Sequence, residues 1–82
     1  EQGETLMPGF VVEYNRKSRD WRVTSFEGPD GHRAAMRRRI ELEESRLDDD
    51  VEIVSLNSDS LETVRRTHAR YFEGRELVDH SA

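Results

Sequence analysis

Two runs of β-branched and aromatic residues stand on either side of a polar tetrapeptide near the start of the chain. The runs are residues 10–15 and 21–26, and the tetrapeptide is 16–19. Strand-forming residues around four polar ones predict a β-hairpin. Pairing Tyr14 with Trp21 gives an aromatic and β-branched inward face and places opposite charges on the outward face. The other pairs of this register are Val12 with Val23, Phe10 with Ser25, Glu13 with Arg22 and Val11 with Thr24.

A turn and an amphipathic helix are expected after the hairpin. Residues 28–31 read Gly-Pro-Asp-Gly, which is typical of a turn, and Asp30 is the predicted N-cap. At about 100° per residue, the larger apolar side chains fall in one sector, which predicts that this sector packs on the core. The sector contains Met36, Ile40 and Leu47, and it is widened by Ala35 and Leu42. Three aspartates at 48–50 oppose the helix dipole, so the helix is expected to end before them.

A third strand and a second helix complete the pattern. Residues 51–56 are apolar on both faces, as in a central or partner-covered strand. Asp59 and Glu62 resemble a capping box at the start of a helix that runs to about Phe72, and Gly74 is its predicted stop.

These elements predict an α+β fold of order ββαβα. A right-handed crossover from the second strand to the third gives a mainly antiparallel three-stranded sheet of order 2-1-3, with both helices packed on one face. We expect a single domain at 9–73, a disordered N-terminal lead at 1–8 and a flexible C-terminal tail at 74–82.

Composition excludes several classes of protein but does not name a function. The 82 residues carry 18 acids and 13 bases, a net charge of −5, and no cysteine. Four acids lie in the predicted tails, and removing them leaves 14 acids against 13 bases; they are Glu1, Glu4, Glu76 and Asp79. Global charge therefore gives no strong preference for a partner. Because the chain has no cysteine and no apolar run of about 20 residues, we expect a cytoplasmic protein with no disulfide and no membrane partner.

The sheet face opposite the helices is expected to be open. A partly apolar open face, together with the strand edges, favours association with another protein or with a second copy of this chain. The predicted interface residues are Val11, Glu13, Arg22, Thr24 and Val54. We therefore predict a small, non-enzymatic interaction domain, with a homodimer as one form of the association.

Nucleic-acid binding is the alternative function. Basic residues lie in the hairpin loop beside Tyr14 and Trp21, and a second set lies on the outer surface of the first helix. Bases interleaved with aromatic residues are what binding to a nucleic-acid backbone uses. The candidate contacts are Arg16, Lys17, Arg19, Arg33, Arg37 and Arg38.

A hydrolytic function is the remaining alternative. A small metal-independent nuclease would use His68 with His32 as acid and base. The predicted helices place the two imidazoles far apart, which is against this alternative. Because His68 lies in the apolar stripe of the second helix, we expect it to be a core residue. The Asp48-Asp49-Asp50 run lacks the spacing of a calcium loop, and no cofactor or metal is predicted.

Overall fold

The structure, a computed structural model, describes residues 8–77 and has the predicted order of elements. The strands are β1 (Gly9–Asn15), β2 (Trp21–Phe26) and β3 (Val51–Asn57). The helices are α1 (Gly31–Ser45) and α2 (Leu61–Thr67), and a 3-10 turn covers Ala69–Phe72. Residues 1–7 of the expected lead and residues 78–82 of the expected tail lie outside the described residues.

The three strands form one antiparallel sheet of order β2-β1-β3, as predicted. Tyr14 pairs with Trp21 and Glu13 with Arg22, so the hairpin register is confirmed. On its other side β1 pairs with β3 in a continuous register from Gly9 opposite Asn57 to Asn15 opposite Val51. β1 therefore has a neighbour along both edges.

α1 covers one face of the sheet and the 3-10 turn that follows α2 covers the other, which corrects the expectation that the helical elements share one face. We call the face carrying Gly9, Val11 and Glu13 the α1 face, because Ala35 of α1 lies directly over Gly9. The face carrying Phe10, Val12 and Tyr14 is the aromatic face, and it packs against Tyr71 of the 3-10 turn.

The aromatic face holds most of the core. Tyr14 meets Tyr71 edge to face at 5.3 Å between ring centroids, and Trp21 meets Phe72 in the same way at 4.7 Å. The guanidinium of Arg65, on α2, lies 5.4 Å from the Trp21 ring centroid. Such edge-to-face pairs add about 0.5–1.5 kcal/mol each beyond the burial of their area.

Small residues hold α1 close to the sheet and set its rotation. A Cβ atom built on Gly9 would lie 2.6 Å from the Gly31 carbonyl oxygen and 2.7 Å from Ala35 Cβ. Because Gly31 and Ala35 face the sheet, the large apolar side chains of Met36 and Ile40 turn away from it. Met36 is 45% exposed and Ile40 is 52% exposed. The prediction that Met36, Ile40 and Leu47 face the core is therefore wrong.

The helix ends also differ from the predictions. Asp30 holds the N-cap position of α1, but its side chain makes no capping hydrogen bond. The α2 N-cap is Ser60 rather than Asp59, since the Thr63 backbone N–H donates to Ser60 Oγ at 3.1 Å. α1 ends two residues earlier than expected, which leaves Leu47 outside the helix and fully exposed.

The close approach of α1 predicts the effect of one added methyl group. In Gly9→Ala, the new Cβ must push α1 away from β1, so we expect a loss of about 1–3 kcal/mol in unfolding free energy. Urea denaturation followed by circular dichroism measures the loss.

The double variant Gly9→Ala/Ala35→Gly is the control for this contact. Removing the Ala35 methyl group relieves part of the clash, so the double variant should lose less stability than the sum of the single variants. A stabilising Gly9→Ala substitution would show that α1 does not approach β1 this closely.

Candidate functional site

The free edge of β3 is the candidate site, and the hydrogen-bond ladder identifies it. The Arg16 backbone N–H donates to the Asp50 carbonyl at 2.8 Å, immediately before β3 begins. Hydrogen-bonded pairs alternate along an antiparallel ladder, so the even-numbered residues of β3 direct their backbone groups towards β1. The odd-numbered residues direct theirs away from the sheet.

Among these outward residues, only Val51 has hydrogen-bond partners for its backbone N–H and C=O groups within the described part of the chain. The Val51 N–H donates to the Asp48 carbonyl at 3.1 Å, and the Val51 carbonyl accepts from Arg46 Nη1 at 3.0 Å. Within 8–77, no backbone or side-chain group bonds the outward N–H and C=O groups of Ile53, Ser55 and Asn57. These three consecutive outward residues form what we call the β3 edge.

The edge of β2 is closed at its first residue. The Trp21 N–H donates to the Arg75 carbonyl at 3.0 Å, and the Leu77 N–H donates to the Trp21 carbonyl at 2.7 Å. Trp21 Nε1 also donates to the Gly74 carbonyl at 3.1 Å. Residues 74–77, which belong to the predicted flexible tail, therefore bond to the sheet and shorten the free edge of β2.

The side chains of β3 are uncharged along this edge, apart from one carboxylate. Every residue from Val51 to Leu56 is half-buried, including the apolar residues on both faces. Glu52 is the sole charged residue of β3, and its Oε2 accepts from the Tyr71 hydroxyl at 3.1 Å. β3 has no proline, lysine or bulge, which are the features that usually protect an edge strand from pairing.

α1 runs beside the β3 edge in the opposite direction. His32 Nδ1 lies 2.7 Å from Asn57 Oδ1, which joins the start of the helix to the end of β3. The hydrogen bond from Arg46 to the Val51 carbonyl joins the end of the helix to the start of β3. The exposed side chains of Met36 and Ile40 form an apolar stripe on the outer surface of α1, in a shallow groove that also includes His32, Arg33 and Arg37.

The predicted interface residues do not form one open surface, which corrects that expectation. Val11 is completely buried beneath α1. Glu13 and Arg22 lie 4.0 Å apart in an ion pair on the same face, and Thr24 is half-buried there. Val54 points to the aromatic face, where it packs on the core. Neither sheet face is therefore open in the described part of the chain, because each face carries helical structure.

The candidate nucleic-acid residues lie at two ends of the sheet. In the hairpin loop, Arg16 Nη2 donates to the Asp49 carbonyl at 2.6 Å, and Lys17 and Arg19 pair with acids at 3.7 and 3.0 Å. Tyr14 and Trp21 are buried, so neither ring is free to stack on a base.

The outer bases of α1 lie away from this loop. α1 begins beside Gly9, at the opposite end of β1 from the hairpin loop. Arg38 pairs with Glu41 at 3.1 Å, whereas none of the ion pairs within 8–77 involves Arg33 or Arg37. The structure therefore does not join the two basic groups into one patch.

The two histidines are separated by the sheet. His32 lies on α1, whereas His68 follows α2 and stacks on Tyr71 at 6.4 Å between ring centroids, on the aromatic face. His68 Nδ1 lies 2.9 Å from Thr67 Oγ1, and the residue is half-buried rather than central to the core. The pair cannot act together on one substrate atom.

Neither a metal cluster nor a membrane helix is found in the described range. No three histidine or acidic side chains of 8–77 are placed to hold a metal ion together. Over the same residues, none of the helices is long and apolar enough to cross a membrane.

Comparison with known proteins adds no functional information. The chain matches no protein-family model, no curated protein and no solved structure. The candidate site therefore depends on the geometry of β3 and α1.

Sequence reasoning identified β3 as apolar on both faces but not which of its residues form the free edge. The predicted hairpin register and strand order already fix which residues of β1 face β3, so a complete account of the ladder could have found the edge. Sequence reasoning did not predict the exposed stripe of Met36 and Ile40 on α1. The small residues Gly31 and Ala35 were the available signal, because they mark the side of the helix that can approach the sheet closely.

The hydrogen-bond pattern of β3 predicts that slowly and rapidly exchanging amide hydrogens alternate along the strand. In dilute solution the amides of Glu52, Val54 and Leu56 should exchange at least about tenfold more slowly than those of the β3 edge, because they bond to β1. Hydrogen exchange followed by NMR measures each rate. Slow exchange of the edge amides in a sample that sediments as a monomer would contradict the edge assignment.

Proposed function

We propose that this protein is a non-enzymatic association domain that pairs with a second copy of itself through the β3 edge. The observation that carries the proposal is the run of three outward residues whose backbone groups have no partner among residues 8–77, on a strand without protective features. Addition of a strand to a free sheet edge is a common way for proteins to associate, since the main-chain hydrogen bonds supply affinity.

The charge of the β3 edge favours a second copy as its partner. Two identical edges repel each other when they carry like charges. Glu52 is the sole charged residue of β3, and it is engaged in its own chain by Tyr71 and by Arg70, whose Nη2 lies 3.5 Å from Glu52 Oε2. Two copies of β3 can therefore approach without an unbalanced charge between them.

The size of the protein also favours self-association. A chain of 82 residues buries only slightly more than about 60% of the surface that its unfolded form exposes. Pairing two sheets buries further apolar surface at the half-exposed side chains of β3. The proposal includes a cytoplasmic location, because a chain without cysteine does not need an oxidising compartment.

Nucleic-acid binding is the weaker proposal. The basic residues of the hairpin loop contact acidic side chains or backbone carbonyls of the same chain, and the neighbouring aromatic rings are buried. A ligand would have to replace those contacts before binding.

Proline at the β3 edge tests the proposed function. The Ser55 N–H points away from β1, so Ser55→Pro leaves the β1–β3 ladder intact while it removes a donor from the edge. We expect the dissociation constant of the dimer to rise at least about tenfold, which corresponds to about 1.4 kcal/mol. Analytical ultracentrifugation over a range of concentrations measures it.

Ser25→Pro is the matched control, because Ser25 is an outward residue of the β2 edge. It should dimerise as the natural chain does, and circular dichroism should show that both variants remain folded. A natural chain that stays monomeric at high concentration would overturn the proposal, as would a larger effect of Ser25→Pro than of Ser55→Pro.

A further inference from the structure

The proposed function leaves open how the two β3 strands align, and the structure carries an answer. Assuming that self-association occurs through the β3 edge, we infer that the two strands pair antiparallel about a two-fold axis at Ser55, which brings Met36 of both α1 helices together. One arrangement then accounts for two separate features, the free edge and the exposed apolar stripe.

The available backbone groups select this register. An antiparallel pair centred on Ser55 places Ser55 opposite its own copy and Ile53 opposite Asn57 of the partner subunit. All three outward residues of each chain then bond, which gives roughly six inter-chain hydrogen bonds. A pair centred on Val54 instead sets Asn57 against Val51 of the partner subunit, whose N–H and C=O are already engaged by Asp48 and Arg46.

The side chains select the same register. With Ser55 at the axis, Val54 lies beside Leu56 of the partner subunit on the aromatic face, and both side chains are half-exposed in the single chain. With Val54 at the axis, Glu52 would lie beside Leu56 of the partner subunit, so that a carboxylate would face an apolar side chain. Apolar cross-strand pairs stabilise a sheet, and the Ser55 register has two of them, Val54 with Leu56 on either side of the axis, whereas the Val54 register has one, Val54 with its own copy.

The position of α1 places Met36 at the axis. His32 is level with Asn57, as their contact at 2.7 Å shows. Met36 lies four residues along the helix, which is about 6 Å at 1.5 Å per residue. Ser55 lies two residues back along β3, which is about 6.6 Å at 3.3 Å per residue. Met36 is therefore level with Ser55, and Ile40 lies one helical turn further along.

The spacing of the strands brings the two α1 helices within reach of each other. α1 packs mainly on β1 and β3. Neighbouring strands lie about 4.8 Å apart. In the dimer, an α1 helix that lies over β1, or between β1 and β3, is therefore about 10–14 Å from the α1 helix of the other copy. Helices pack at about 8–10 Å, and the long flexible side chain of methionine fills irregular gaps. Met36 of each copy can then cover the other.

Single cysteines in this cysteine-free chain test the register. In the proposed pairing, residue 55 lies about 5.5 Å from its copy between Cα atoms, which a disulfide can span. Residue 54 lies about 8 Å from its copy, which is too far. We expect Ser55→Cys to form a disulfide-linked dimer on mild oxidation, while Val54→Cys does not. Ser25→Cys on the β2 edge is the second control.

The outcomes separate this inference from the proposed function. A dimer in ultracentrifugation that links through Val54→Cys, or through none of the three variants, overturns the register and leaves self-association standing. A natural chain that remains monomeric overturns both. Linkage of Ser55→Cys alone, in a protein that sediments as a dimer, supports the register.

A second measurement tests the helix contact without changing β3. Met36 is exposed in the single chain, so Met36→Ala should leave the unfolding free energy of the monomer nearly unchanged. Because two methionines leave the interface, the dissociation constant should rise at least about tenfold. Glu44→Ala, at another exposed position of α1, is the matched control. Equal dissociation constants for Met36→Ala and the natural chain would overturn the helix contact.

Discussion

The close approach of α1 to Gly9 is the contact on which the arrangement of this protein depends. Gly31 and Ala35 are small enough to let the helix backbone lie against β1, and Gly9 has no side chain to hold it off. Packing at short range maximises dispersion contacts over the helix, but it also fixes which side of the helix faces inward. The larger apolar side chains Met36 and Ile40 are therefore left on the outer surface.

The sheet has two edges, and within residues 8–77 the β3 edge has the longer run of outward residues without backbone partners, three against the two of β2. β1 is paired along both sides, and the first residue of β2 is bonded by the segment that follows the 3-10 turn. β3 directs three residues with unpaired backbone groups outward, within the described part of the chain, beside a helix with an exposed apolar stripe. The surface next to β3 therefore combines unpaired backbone hydrogen-bonding groups with exposed apolar side chains.

The parts of the fold that follow from alternation and turn chemistry could be predicted. The hairpin register of Tyr14 with Trp21, the order β2-β1-β3 and the α+β class all follow from short-range patterns and from the handedness of crossovers. The rotation of α1 could not be predicted from hydrophobicity, because burial by close packing selected alanine and glycine instead of methionine and isoleucine. The candidate site was recognised in part, as an apolar strand that needs a neighbour.

The sequence by itself determined the elements and how the strands pair, because a strand with period-two alternation has one register that buries its aromatic face. The tertiary structure alone decided that α1 and the 3-10 turn lie on opposite faces of the sheet. It also decided that Val11 is buried and that Met36 and Ile40 are exposed. The physical reason is that helix rotation depends on how near two backbones can come, and that distance is set by residues far apart in the chain, here Gly9, Gly31 and Ala35.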